Sequence, residues 1–153
     1  MAGARKKKQR EAWDRFADTG RAVLIGAATL LPQRAAANRA RISAGTCVLA
    51  IKLITSLLKK AVPERRPDGE DDQSFPSEHS AESVAAAMII EREYPGNIGA
   101  LAYALAATVS MSRIVSKKHH PRDVAAGAFI GAASVWVALR LRLAIERRIH
   151  SIG

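Results

Sequence analysis

Apolar residues run in five stretches, at 22–31, 42–58, 84–90, 98–111 and 124–139, and charged residues crowd beside and between them. The stretches are rich in Ala, Leu, Ile, Val and Gly and show no strict alternation, so they predict helices and not strands. Prolines at 32, 63, 67, 76, 95 and 121 fall between the stretches, where helices end. Five helices are expected, over roughly 10–31, 40–60, 78–92, 96–115 and 122–148. The Ser77 hydroxyl is placed to cap the third. The fold class this implies is all-α: a compact antiparallel bundle of about five helices.

A mean hydropathy of −0.03 conceals a segregation. The charges sit in 1–21, 59–72, 113–123 and 140–148. A helix crosses a bilayer with about 20 mostly apolar residues, and ~17 suffice. The 42–58 stretch meets this with one interruption, Lys52. The 124–139 stretch nearly does, because Arg140 and Arg142 can snorkel to the interface. The 98–111 stretch needs its flanks, and 78–92 is short and carries Glu82. The pattern reads as a membrane-embedded bundle; the rival is a soluble bundle with an alanine-rich core. Gly127-x-x-x-Gly131 would permit close helix approach within the last stretch.

The 153 residues suffice for one domain. Residues 1–21 read as a basic amphipathic amino-terminal segment and 22–153 as the bundle. Cys47 is the only cysteine, which excludes an intramolecular disulfide and a cysteine-based metal cluster. No secretory leader is visible, since Lys6-Lys7-Lys8 is followed by polar residues. The net charge of +10 points to anionic partners without choosing among phosphate, acidic lipid and nucleic acid.

If consecutive helices alternate in direction, three polar clusters meet at one end. The second helix ends at Lys59, the third starts at His79, the fourth ends at Arg113 and the fifth begins just before Asp123. Lys52, Ser56 and Lys59 share a helix face that would lead to that end. Arg66 follows Lys59 across a proline-punctuated loop. Its planar fork can pair two phosphate oxygens, while lysine supplies a mobile point charge. Pro76-Ser77-Glu78-His79 opens a helix whose backbone N–H groups and dipole favour an anion. Ser77 can add a hydroxyl donor, and His79 can hand a proton to a departing oxygen. His119 and Asp123 stand four apart at a helix entrance. A carboxylate bonded to one ring nitrogen fixes the tautomer and makes the other a better nucleophile. His120 is the rival imidazole, pairing poorly with Asp123 on helical spacing. A metal held by His119 and Asp123 is the other alternative, opposed by the surrounding lysines and arginines.

With the three clusters in view, the chain resembles the type-2 phosphatidic acid phosphatase superfamily, which also includes the vanadium haloperoxidases. Its pattern is K-x6-R-P, then P-S-G-H, then S-R-x5-H-x3-D. Lys59 and Arg66-Pro67 match the first part, and Ser112, Arg113, His119 and Asp123 match the third, with His119 selected over His120. Val124-Ala-Ala-Gly127 is also similar to the family. Glu78 departs from the pattern, standing where glycine is usual. Five helices are fewer than the six that integral members commonly have.

The resemblance implies a metal-independent phosphatase acting on a lipid phosphate or diphosphate through a phosphohistidine. His119 is the implied nucleophile, Asp123 its orienting acid and His79 the general acid and base. Lys59, Arg66, Ser77, the backbone at Glu78 and Arg113 are the implied phosphate ligands. No metal and no cofactor are expected. Candidate substrates are polyprenyl phosphates or diphosphates, phosphatidylglycerol phosphate and phosphatidate, taken from the membrane; nucleic acid is not expected as a partner. The alternative is a non-catalytic basic module that binds membrane or nucleic acid. Arginines at 34, 39, 41 and 140–148 lie opposite the site, so the positive-inside tendency would face the site outward from a bacterial cell membrane.

Overall fold

The computed structural model describes residues 2–30 and 37–150. Among them are five helices: α1 (Ala2–Leu30), α2 (Ala37–Ala61), α3 (Glu78–Glu93), α4 (Asn97–Val115) and α5 (Pro121–His150). They match the five expected from the apolar stretches. α1 differs most, starting eight residues earlier than expected, because Lys, Arg, Gln and Glu favour helix and nothing in 4–10 breaks it. Arg34, and the side chains of Arg39, Arg41, Ile42 and Ser43, lie outside what the structure describes.

The shortest helix is the hub. α3 packs against all four others, most extensively α5 and α4, whereas α4 and α5 scarcely meet. Its buried face is built from Ala81, Ala85, Ala86 and Ala87 with Ile89 and Ile90. Alanine on a central helix lets several backbones approach at once. The approach is closest against α5. A Cβ at Gly127 would overlap the Ser77 carbonyl, and one at Gly131 the Ala81 carbonyl. The glycine pair therefore seats the start of α5 on the start of α3.

The remaining core joins Leu24 and Ala28 of α1, Ala44, Cys47 and Ile51 of α2, Ala102 and Ala106 of α4, and Val135 of α5. Much apolar surface stays outside. Leu49, Leu53 and Leu57 on α2, Leu101 (71%) on α4, and Phe129 (74%), Trp136 and Leu141 on α5 are exposed. Among the described residues, α4 and the Pro121–Ile145 part of α5 are long and apolar enough to cross a membrane. Only 17% of the apolar window of α5 is buried. A soluble core helix would hide that surface; a membrane-embedded helix presents it to lipid.

Candidate active site

The loop after α2, the start of α3 and the turn between α4 and α5 converge at one end of the bundle. The 62–77 loop is ordered by its own backbone. Glu64 N–H bonds Asp72 O at 2.9 Å, Arg66 N–H bonds Asp71 O at 2.9 Å and Ser74 N–H bonds Glu64 O at 2.9 Å. It is tied across the site too, with Asp68 N–H to Lys117 O at 3.0 Å and Ser77 N–H to Asp123 O at 3.0 Å. Lys117 adopts a left-handed φ of 61°. That conformation ends α4 and turns the chain back, with the Lys118 and His119 N–H groups both returning to Arg113 O.

His119 is 3% exposed. Its Nδ1 lies 2.6 Å from the carbonyl oxygen of Ser74. A carbonyl only accepts, so Nδ1 carries the proton and Nε2 keeps its lone pair. Burial, and then the charge of Arg113, push the imidazole pKa down to about 3, with Arg66 and Lys59 adding to the effect. The ring is therefore neutral, and three cations from three segments act on it.

Asp123 is fully buried, but it does not bond His119 directly. The nearest approach is 4.0 Å. Its Oδ2 accepts the Ser74 hydroxyl at 2.5 Å and the His120 backbone N–H at 2.8 Å. Because α5 starts at Pro121, the second contact is the carboxylate half of a capping box. That geometry draws the carboxylate toward the helix start and leaves Ser74 between acid and ring. The expected direct acid–imidazole bond is thus replaced by a relay through Ser74, a residue the sequence reading did not single out.

The other residues from the sequence patterns fall around this core. Arg66 Nε donates to Asp71 at 2.6 Å. Arg113, 4% exposed, pairs with Asp14 of α1, and its Nε is buried without an acceptor among the described residues. Lys59, in the last turn of α2, interacts with Glu78, Arg66, Asp71 and Arg113. Ser77 caps α3, its hydroxyl oxygen accepting from Ser80 N–H and from the Ser80 hydroxyl at 3.0 Å. Glu78 reaches Arg21 of α1 at 3.6 Å. His79 Nε2 lies 2.7 Å from Asp18 of α1. His120, expected to pair poorly with Asp123, lies 3.3 Å from it, nearer than His119 does, because it occupies the cap position of α5; its Nδ1 is also 3.2 Å from Glu64.

Asp14, Asp18 and Arg21 were also missed. They follow helical spacing along one face of α1, a signal hidden by the basic character of the segment around them. Glu64, His120 and Asp123 offer three ligand atoms within 4.8 Å of one another. Arg122, however, holds the Glu64 carboxylate, and Asp123 Oδ2 is already committed to Ser74 and His120. A cation there would compete with an arginine.

The family model of the PAP2 superfamily matches residues 40–147. The lipid A 1-phosphatase of Porphyromonas gingivalis is 36% identical over 69 residues, covering 43% of this chain and 16% of that protein. The decaprenylphosphoryl-5-phosphoribose phosphatase of Mycobacterium tuberculosis is 32% identical over 120 residues, covering 71% of this chain and 63% of that protein. The chain thus spans less than two thirds of the length of either relative. The fold is similar to the crystal structure of Aquifex aeolicus LpxE, with a TM-score of 0.71, 20% identity and 86% of each chain covered.

Proposed function

Because this chain belongs to the PAP2 superfamily, we propose that it is a membrane lipid phosphatase working through a phosphohistidine at His119. The observation that carries the reading is the His119–Ser74 hydrogen bond. It leaves a buried, unprotonated Nε2 beside Lys59, Arg66 and Arg113.

In the first step His119 Nε2 attacks phosphorus in line, the N–P bond forms and the bond to the leaving oxygen breaks. His79 gives that oxygen a proton. Lys59, Arg66 and Arg113, with the N–H groups at the start of α3, hold the charge on the equatorial oxygens. In the second step His79 takes a proton from water, the new oxygen bonds phosphorus and the N–P bond breaks. Inorganic phosphate leaves, and His119 is neutral again. Acid–base help of this kind contributes roughly 10²–10⁴-fold, and fixed charge in a dry site is often the larger share. Glu78 is turned toward Arg21, which leaves the backbone N–H at that position available.

The substrate is a phosphate on a lipid, its tail remaining in the bilayer while the headgroup reaches the bundle end. Polyprenyl-linked phosphates come first, in keeping with the relative that matches most of this chain; phosphatidylglycerol phosphate and phosphatidate follow. We place the site on the outer face of a bacterial cell membrane, on the strength of the arginines at 140, 142, 147 and 148 at the far end of α5. Arg5, Lys6, Lys7, Lys8 and Arg10 precede Asp14 on α1, at the site end, and count against that orientation. A reporter enzyme fused to the carboxy terminus is expected to be active only in its cytoplasmic form.

Purified protein is expected to release phosphate from one member of a lipid phosphate panel in EDTA, and His119→Ala to release none. A binding module would keep its lipid affinity in that variant and release nothing even as wild type.

A further inference from the structure

Resting on the phosphatase reading above, we propose that Asp18 of α1 is the positioning residue for His79, so that the amino-terminal helix supplies a working wall of the active site. None of the three sequence patterns of the site includes it.

The contact is specific. Asp18 Oδ1 lies 2.7 Å from His79 Nε2. With Nε2–H donated to a carboxylate, Nδ1 is the ring nitrogen left to face the leaving oxygen. The helix that delivers Asp18 is anchored independently of this bond. Ala17, Leu24 and Ala28 are buried along one face. Gly20 lies so close to α4 that a Cβ would press on Val109. Arg21 donates to Glu82 of α3 at 3.0 Å, and Glu82 is itself buried. Asp18 and Asp14 sit one turn apart at the upper edge of this anchored face.

The electrostatics give the contact a task. A general acid must carry a proton before the leaving group departs. Burial, and then Arg113 from α4 and Arg21 from α1, oppose a charged His79 and push its pKa down to about 4, while the bond to Asp18 works against them. On the same helix Glu78 and Glu82 are turned to Arg21. From α2, Lys59 adds positive charge near Glu78. Asp123 of α5 is committed to Ser74 and His120, and Asp14 to Arg113. Among the described residues Asp18 is the carboxylate hydrogen-bonded to His79. It raises the protonated share of a ring that burial and two arginines hold largely neutral, and it stabilises the imidazolium formed when His79 takes the water proton in the second step.

The test uses the full chain in detergent micelles, with phosphatidate and p-nitrophenyl phosphate as probes and with Asp18→Asn and Asp18→Glu as variants. A glyceryl alkoxide needs a proton to leave; p-nitrophenolate hardly does. Asp18→Asn is expected to lower kcat on phosphatidate by about 10–100-fold with KM nearly unchanged. Removing the carboxylate lowers the basicity of His79, so the alkaline limb of the rate profile moves to lower pH, by about one unit. The loss on p-nitrophenyl phosphate is smaller, and Asp18→Glu recovers part of the rate. An unchanged pH profile in Asp18→Asn overturns the proposal. So does a rate increase, which would make Asp18 an anion mimic blocking the site. If Asp18→Asn does not fold, Asp18→Glu decides: a folded variant with a wild-type profile and an altered KM alone overturns it. Wild-type protein inert on these two probes and on a polyprenyl phosphate as well would instead overturn the phosphatase reading.

Discussion

The carbonyl of Ser74 receives the ring proton of His119 at 2.6 Å, while the hydroxyl of the same residue is donated to Asp123 at 2.5 Å. One residue of the 62–77 loop thus sets the tautomer of the imidazole and ties the loop to α5. Ser74→Ala keeps the carbonyl and removes the tie. It leaves a buried carboxylate oxygen short of one donor, which costs about 1–3 kcal/mol. We expect activity to fall roughly tenfold, a smaller loss than from Asp123→Ala, which also removes the helix cap. Steady-state phosphate release and thermal unfolding of the two variants check this.

Close packing of α5 on α3 is the second load on the site. Gly127 faces the Ser77 carbonyl and Gly131 the Ala81 carbonyl with no room for a Cβ. In both Gly127→Ala and Gly131→Ala the backbones must part, at about 1–3 kcal/mol. The activities should differ. Gly127 lies one turn from Asp123 and opposite the cap of α3, so its substitution moves the site; Gly131 is a further turn away. Gly127→Ala is expected to lose at least about tenfold more activity than Gly131→Ala at similar stability loss, read from kcat and unfolding midpoints measured together.

Burial and Arg113 hold His119 at a pKa of about 3, against an ordinary value of 6.5. Between those values the unfolded chain binds more protons than the folded one, so stability rises with pH through the window. The contribution is complete above pH 6.5 and is lost as pH falls toward 3. His119→Asn can still donate an amide N–H to the Ser74 carbonyl but does not titrate. Its unfolding midpoint should fall less steeply than wild type between pH 6.5 and 4. Parallel slopes for the two proteins would show that His119 is not held neutral.

Arg21 holds the buried carboxylate of Glu82. Removing one partner of a buried pair costs about 3–5 kcal/mol, and in Arg21→Ala part of that is relieved because burial already raises the Glu82 pKa and the carboxyl can take up a proton. Arg21 is about a quarter exposed, which puts the loss at the lower end of that range. The double variant with Glu82→Gln should recover most of it, as chemical or thermal unfolding would show.

Periodicity exposed the five helices because apolar runs and prolines alternate along the chain. Alternating helix direction then gathered Lys59, Arg66, His79, Arg113, His119 and Asp123 at one end, where the structure has them. The glycine spacing at 127 and 131 marked a close approach without naming its partner, since packing partners are set by tertiary geometry. Ser74 was not legible, because its part is played by a backbone carbonyl that any residue possesses. Asp14 and Asp18 were concealed by averaging: a segment rich in Lys and Arg reads as basic although the edge of its packed face carries two aspartates. The direct bond expected between His119 and Asp123 failed for a local reason, the pull of the capping box at the start of α5.

The most direct measurement is covalent trapping. Protein mixed with a lipid phosphate labelled with ³²P and quenched in alkali should carry an acid-labile, base-stable label. His120→Ala should keep that label and His119→Ala should lose it together with phosphate release. A label that survives His119→Ala, or phosphate release by that variant at the wild-type rate, would contradict the account.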